Sequence, residues 1–534
     1  NTSGMAVGTT LSRLTGILRD IALVAAVGTA VFSDAYSVAN SIPNILYTLI
    51  AGGAINSVFI PTLVRRMQED DDKGQLFANR LLTFIGLILT VVVVVTMIGA
   101  QLIVHIYATR TWSPSDFHVA TVFTYWCLPQ IFFYGAYTLI TQILNVRGNF
   151  VLPMFAPIIN NVVVIITALL FVNVSHRVIS TGQVSYSALN FLGFGTTLGV
   201  ALQAVILIPA LRKSNFAFSP RFDFKGAGLM KVGNLAIWTI GFVFINQLSN
   251  VVVTRLSTYA NTLAESQGTV SVGLTSFQKG QLMMMLPHAI ITVSLITALL
   301  PRLSKTAHAR DDQSFGDQLT ASVRLIAALI IPSSGLLLLC GVNVGTLLYG
   351  HGVSTVEQGA SVGFIAAMFA FGLPGFSLFY ALLRSYYARE NTRTPFYLNL
   401  AFNVFYIGLG YAIFMFIGTT FKVAGLGLAY SASYTIICCY TWRMVSKDVP
   451  ALRAPSIYKL LIRVLTATVF AISFTATVHY LLFDNFVASN TSEAITRLAV
   501  DVLLSVTTFY ALARLFHIRE INQVLGLIRK PESN

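Results

Sequence analysis

A guanidinium in the middle of an apolar helix needs a reason to be there. Between Thr9 and Asn56 the chain reads as two membrane-length apolar stretches that nonetheless carry charged and amide side chains. The first, GTTLSRLTGILRDIALVAAVGTAVF, holds Arg13, Arg19 and Asp20; the second, SDAYSVANSIPNILYTLIAGGAIN, opens with Asp34 and carries Asn44 and Asn56. A charge at the centre of a spanning helix costs about 2.5–3.5 kcal/mol on insertion scales, so it marks a functional position by default. The spacing is helical: Thr9, Arg13, Gly16 and Asp20 recur at i, i+4, i+7 and i+11, and Asp34, Ser37, Ser41, Asn44 and Thr48 do the same on the second stretch. Helices striped in this way can face a wet cavity while their other faces meet lipid. The competing reading is structural, with Arg19 paired to Asp34 as a buried ion pair, although two arginines on different faces need more than one partner.

Two later runs repeat the pattern. In 230–257, Gln247, Asn250 and Thr254 share a face, with Asn246 beside them and Arg255 a step round near an outer helix end. In 273–300, Gln281, Met285, His288 and Thr292 share another face, and Lys279 lies roughly opposite Gln281. Lys279 either lines the cavity or snorkels to the outer interface. His288 is expected to be a hydrogen-bonded interior histidine rather than a proton relay. Arg13, Arg19, Arg255 and Lys279 outnumber Asp20 and Asp34, and guanidinium groups match phosphate oxygens in bidentate geometry. The expected ligand is therefore an anion with a phosphate or pyrophosphate head. Enzyme chemistry finds little support: there is no GxxxxGK loop, no His/Asp/Glu cluster at metal-ligand spacing, and no loop long enough for a catalytic domain. No catalytic residue, metal site or cofactor is expected.

The elements that must position these residues are membrane helices. Of 534 residues, 55% are hydrophobic and only 10% charged, against about 25% charged in soluble domains. Fourteen apolar runs follow one another, over 6–30, 34–63, 81–106, 119–144, 151–173, 188–211, 230–257, 273–300, 320–349, 357–386, 395–417, 423–444, 457–483 and 492–515. The net charge of +14 sits in alternate loops, from Arg65, Arg66 and Lys73 through Arg212, Lys213 and Lys225 to Arg529 and Lys530, while the intervening loops offer little beyond Arg110, Arg177 and Lys422. That asymmetry puts both termini in the cytoplasm and makes the positive charge a topology signal, so no nucleic-acid partner is expected. Cys127, Cys340, Cys438 and Cys439 all lie within apolar runs, as packing residues do. No cleavable signal peptide is expected, and because the first residue is not Met the natural start is expected upstream.

The chain also repeats itself. Phe59-Ile-Pro61-Thr-Leu is echoed by Leu299-Leu300-Pro301-Arg-Leu, and Arg147, Asn149, Pro153 and Asn161 match Arg389, Asn391, Pro395 and Asn403, each pair 242 positions apart. Six runs separate the copies, an even number, so both copies have the same orientation. The expected fold is an all-α polytopic membrane protein of 14 transmembrane helices, with two parallel six-helix lobes around a central cavity plus two C-terminal helices. The corresponding segments are 1–215, 216–450 and 451–534.

The residues SRLTGILRD (Ser12 to Asp20), Asp34 and IPN (Ile42 to Asn44) resemble the MurJ/MviN family of the multidrug/oligosaccharidyl-lipid/polysaccharide exporter superfamily. ILNVRGNFVLPMFAPIINN, ALLPRLSK and YARENTRTP extend the likeness over essentially the whole chain. The resemblance implies a lipid II flippase of the bacterial inner membrane, serving peptidoglycan synthesis and moving a pyrophosphate-linked sugar head outward by alternating access. It implies that Arg13 and Arg19 are the family's cavity arginines, Asp34 its helix 2 aspartate and Asn44 its IPN asparagine. The implied partners are lipid II and membrane lipids, with cell-wall synthesis proteins as candidate associates and a monomer as the expected state. Membrane potential or an ion is the candidate driver. The same charge logic also serves a flippase for another undecaprenyl-pyrophosphate-linked oligosaccharide, whereas a drug/cation antiporter of the superfamily would want an acidic cavity. Four departures stand out. Tyr47 and Thr48 occupy the family's basic pair, and Gly52 replaces a glutamate. Leu282 falls where the family has an arginine before Pro287, leaving Lys279 or Arg255 to supply that charge. Asn399 and Asn403 are neutral where some relatives are thought to hold sodium through carboxylates, so no sodium site is expected.

Overall fold

A computed structural model describes residues 2–49, 66, 72, 74–175, 185–223, 233–483 and 487–521. Asn56, Gly52, Pro61, Arg65, Lys73, Arg177, Lys225, Arg529 and Lys530 lie outside the described residues. Among the described residues the chain is helical and contains no β-strand. It divides into two compact units, Asn1–Thr262 and Leu263–Asn534.

The first unit contains α1 (Thr2–Val27), α2 (Val31–Tyr47), α3 (Gln75–Ile98), α4 (Ala100–Tyr107), α5 (Pro114–Cys127), α6 (Gln130–Val146), α7 (Val151–Ser175), α8 (Tyr186–Val205), α9 (Ile208–Lys213) and α10 (Gly233–Ser266) up to Thr262. Helix α1 packs along α7, α7 along α8, α2 against α5, and α3 beside α6. Local chemistry sets the ends. Ser113 and Asp116 form a reciprocal capping box at the start of α5, with Pro114 in the first turn, where its missing N–H costs nothing. The rings of Phe32 and Tyr36 on α2 meet Phe123 of α5 edge-on at 5.8 and 5.3 Å.

The second unit contains α11 (Leu274–Pro287), α12 (Ser294–His308), α13 (Asp312–Tyr349), α14 (Val356–Ala370), α15 (Leu373–Ala388), α16 (Arg393–Phe416), α17 (Lys422–Asp448), α18 (Pro455–Phe483) and α19 (Thr491–Leu515). The apolar run over 273–300 is interrupted: a π-helical stretch, His288–Val293, separates α11 from α12 directly after Pro287, which cannot continue the α-type ladder. Helices α13 and α14 cross at small residues. A Cβ on Gly345 would collide with the backbone at Gly359 and Gly363, and one on Gly363 with the backbone at Gly341. Such close approach replaces the hydrophobic drive that lipid cannot supply. Helices α18 and α19 pack on each other and on α13 around Ala328, Leu460, Val464, Ala467 and Ala513.

Ten helices, or eleven with the bent pair α14–α15 counted as one span, are long and apolar enough to cross a membrane among the described residues. They coincide with eleven of the fourteen apolar runs. The other three runs, over 6–30, 34–63 and 230–257, are helical where described (α1, α2 and α10) but fall outside that apolar set. These three carry most of the polar stripes; α1 holds three charges within one span length, and α2 is only 17 residues long as described.

The internal repeat is written in the helix ends. Helix α6 closes with Asn149 N–H donating to Leu144 O at 2.9 Å, with Gly148 left-handed at φ 81°. Helix α15 closes with Asn391 N–H donating to Tyr386 O at 2.9 Å, with Glu390 left-handed at φ 57°. Each bond sits 242 positions from its counterpart. The arginine before each left-handed residue lies over a phenylalanine ring: Arg147 over Phe216 at 5.2 Å and Arg389 over Phe315 at 4.6 Å.

Candidate functional site

Helix α1 presents its charges in two ways. Arg13 is exposed and makes no ion pair among the described residues. Arg19, six residues on, is held. Its Nη1 donates to Asn161 Oδ1 on α7 at 3.2 Å and its Nη2 to Asp20 Oδ1 at 3.3 Å, leaving the side chain 32% exposed. Asp20 is itself buried. The same Asn161 amide donates to Ser12 O at 3.1 Å and to Thr15 Oγ1 at 3.0 Å, so one side chain ties two turns of α1 to α7 while orienting Arg19. Gly16 leaves room for that approach, its hypothetical Cβ standing 3.7 Å from Asn161 Nδ2. A partly exposed guanidinium fixed from behind still has donors to offer, and five donors in a rigid fork suit a phosphate.

Asp34 lies in the first turn of α2 and is fully buried. It does not pair with Arg19. Its Oδ2 accepts from Asn261 Nδ2 on α10 at 2.8 Å, and the same amide donates to Thr29 O at 3.1 Å. The ion pair weighed from sequence is thus replaced by two separate arrangements, Arg19 with Asp20 and Asn161, and Asp34 with Asn261. These last bonds also fasten the end of α10 to the α1–α2 connection.

The other candidates are dispersed. Asn44 is exposed on α2. Gln247 and Asn250 are half-buried on α10, one and more turns before the buried Thr254, Ser257, Thr258 and Asn261. Arg255 is exposed, with Nη1 3.5 Å from Ile106 O. Lys279 is half-buried on α11, in the second unit. His288 is buried, with Nδ1 2.9 Å from Ser377 Oγ and its ring between those of Phe376 and Tyr380, the interior role expected of it. Asn399 and Asn403 are buried in α16, where Asn403 Nδ2 donates to Asn399 O at 2.8 Å. Asn161 and Asn403 occupy matching repeat positions; Asn161 clamps a neighbouring helix, and the bonds of Asn403 include one within its own.

Sequence reading passed over Asn261 and the α18–α19 pair of His479 and Asp501. The signal that finds Arg13 finds them too, because each is a polar or ionisable side chain within a long apolar run.

The model of the family described as "Lipid II flippase MurJ" matches residues 23–496. That match begins after Arg13, Arg19 and Asp20 and so assigns them no role. The chain is 28% identical over 393 residues to the lipid II flippase MurJ of Burkholderia cenocepacia, covering 72% of each chain. It is 25% identical over 455 residues to the probable lipid II flippase MurJ of Haemophilus influenzae, covering 82% of this chain and 84% of the relative. Among solved structures it is similar to a lipid II flippase MurJ in an inward closed conformation, with TM-score 0.72 and 21% identity over 96% of this chain and 98% of that one. It is also similar to an inward-facing multidrug resistance MATE family transporter of the MOP superfamily, with TM-score 0.64 and 13% identity over 83% of this chain and 96% of the other. At these identities the structural likeness shows the fold.

Proposed function

We infer the function from one premise: this chain belongs to the lipid II flippase MurJ family. It is a multi-pass membrane transporter that flips lipid II, and it is not an enzyme. The observation that carries this reading is the family match over residues 23–496. The membrane is the bacterial inner membrane, where lipid II serves peptidoglycan synthesis, and the bias of Lys and Arg between alternate loops supports cytoplasmic termini.

The head group is proposed to meet the polar face of α1 first. Arg13, exposed and without an ion pair among the described residues, supplies a cation whose charge is not already neutralised. Arg19, oriented by Asn161 and Asp20, supplies a second guanidinium whose direction is fixed before the ligand arrives. Fixing one fork and leaving the other adjustable lowers the ordering cost of binding a diphosphate. The buried Asp34–Asn261 contact positions helices rather than touching the head. Exposure of the α1 site to one side of the membrane and then the other completes transport, as in other repeat-built transporters. The membrane potential, worth about 2.3 kcal/mol per charge per 100 mV, is the proposed driver for the anionic head. Lys279 and Arg255 are proposed as the later cations on its route, standing in for the arginine that Leu282 replaces.

The test is accessibility of lipid II head groups to an external reagent in cells where this chain is the sole flippase. Labelling should rise when the chain is expressed and stay at background in its absence. Background labelling despite normal membrane insertion would sink the reading.

A further inference from the structure

The segment Ser214 to Asp223 is strapped along the first half of α3. Asn79 Nδ2 donates to Ala217 O at 3.1 Å while its Oδ1 accepts from Ser219 N–H at 3.2 Å, and Thr83 Oγ1 accepts from Arg221 N–H at 3.0 Å. Arg80 closes the strap on Asp223, Nε donating to Oδ2 at 3.0 Å, and holds that carboxyl below its usual range. From the other side, Arg147 Nη1 donates to Ser214 O at 2.6 Å. The strap is therefore a built element, and a cavity of about 870 Å³ lies behind it, within the roughly 300–1,000 Å³ typical of ligand sites.

Its chemistry is lopsided. Leu82, Gly86 and Leu89 of α3 and Phe132, Ala136 and Leu139 of α6 form apolar walls. The polar side chains on the lining are Arg212 and Asn215, both at the strap end. Arg212 is exposed and makes no ion pair among the described residues, Lys213 follows it in the chain, and the nearby Asp223 carboxylate is engaged by Arg80. Residues 82–89 and 132–140 each cover about two helical turns, so the cavity runs roughly 10–12 Å along the helices from that cationic end. A soluble metabolite would find no polar partner along those walls. A diphosphate would find one lining cation where two or more would serve it.

We propose that this cavity is a regulatory or structural lipid site that takes one acyl chain of an anionic glycerophospholipid, its phosphate held at Arg212. The chain lies between α3 and α6, and the head sits in the leaflet at the end where basic loops gather. This site is separate from the α1 face and takes a different lipid from the transported one.

The experiment is native mass spectrometry of the full chain in detergent, titrated separately with phosphatidylglycerol, phosphatidylethanolamine and a polyprenyl diphosphate. The wild type should retain one phosphatidylglycerol in preference to phosphatidylethanolamine. Arg212→Gln should lower that preference about fivefold, the worth of one basic side chain at an anionic lipid. Gly86→Phe should abolish retention of either phospholipid, because a Cβ at Gly86 meets no heavy atom within 4 Å and the ring enters the cavity. Its melting temperature should match the wild type. Unchanged phosphatidylglycerol retention in Gly86→Phe would overturn the site, as would preferential retention of the polyprenyl diphosphate there. If Gly86→Phe does not fold, Arg212→Gln decides alone, and an unaltered headgroup preference overturns the proposal.

Discussion

Two regions of this chain put charge inside long helices and treat it in opposite ways. Between α18 and α19 the charge is sealed. His479 and Asp501 are 0% and 1% exposed, with His479 Nδ1 donating to Asp501 Oδ1 at 2.8 Å. Nearby, Arg497 is 2% exposed, pairs with Glu493 one turn away, and lies 5.1 Å from the centre of the Phe483 ring. On α1 the charge is left open: Arg13 is exposed without an ion pair among the described residues, and Arg19 is only partly covered by Asp20 and Asn161. A sealed pair satisfies itself and needs no ligand. An open guanidinium in a membrane protein has its electrostatic requirement unmet until something anionic arrives. Intramembrane charge alone therefore does not identify a transport site. The α1 site proposed above rests on the second kind, a helical cation such as Arg13 left without an ion pair among the described residues.

The contrast breaks most visibly at Arg13. Arg13→Ala should abolish complementation of a lipid II flippase depletion while leaving membrane insertion and melting temperature unchanged, because no bonded partner is stranded among the described residues. Growth at the wild-type rate would place Arg13 with the bystanders. Asp501→Ala should do the reverse. Removing one member of a buried pair costs about 3–5 kcal/mol, read as a large fall in melting temperature and in yield of folded protein, with transport lost only in proportion. Replacing both members, His479→Phe with Asp501→Leu, should recover most of that stability; failure to recover would mean the pair does more than satisfy itself. Asn161→Ala sharpens the comparison from between the extremes. It strands Arg19 and the two α1 acceptors, so a loss of about 1–2 kcal/mol is expected together with weakened flipping. A pure stability loss with full activity would make Asn161 a clamp and nothing more.

Much of this organisation is legible in the chain itself. Hydropathy marks the spans, and the 242-residue offset that links Arg147 with Arg389 and Asn149 with Asn391 reappears as matching helix caps. A cap is local, so its residues carry its signature. The stripe through Arg13 and Asp20 is legible for the same reason, since helical periodicity is a property of a dozen neighbouring residues. What periodicity cannot supply is the partner. Asp34 is satisfied by Asn261, 227 positions away, and Arg19 by Asn161, 142 positions away. Nothing in the spacing of either helix selects those amides over the other asparagines of the chain. The choice depends on which helix faces which, and it turned the alternative of an Arg19–Asp34 pair into two unrelated contacts. The strap over 214–223 escapes sequence reading on similar grounds, because Asn79 and Thr83 look like polar residues at a helix end until the strap's backbone is laid against them.

The most direct test of the central claim is binding of purified lipid II to the wild type and to Arg13→Ala and Arg19→Ala, with melting temperature recorded for each. Markedly weaker binding by both variants, Arg13→Ala at an unchanged melting temperature, is the predicted result. Affinity equal to the wild type in both would contradict the account, leaving the α1 arginines as architecture like the sealed pair of α18 and α19.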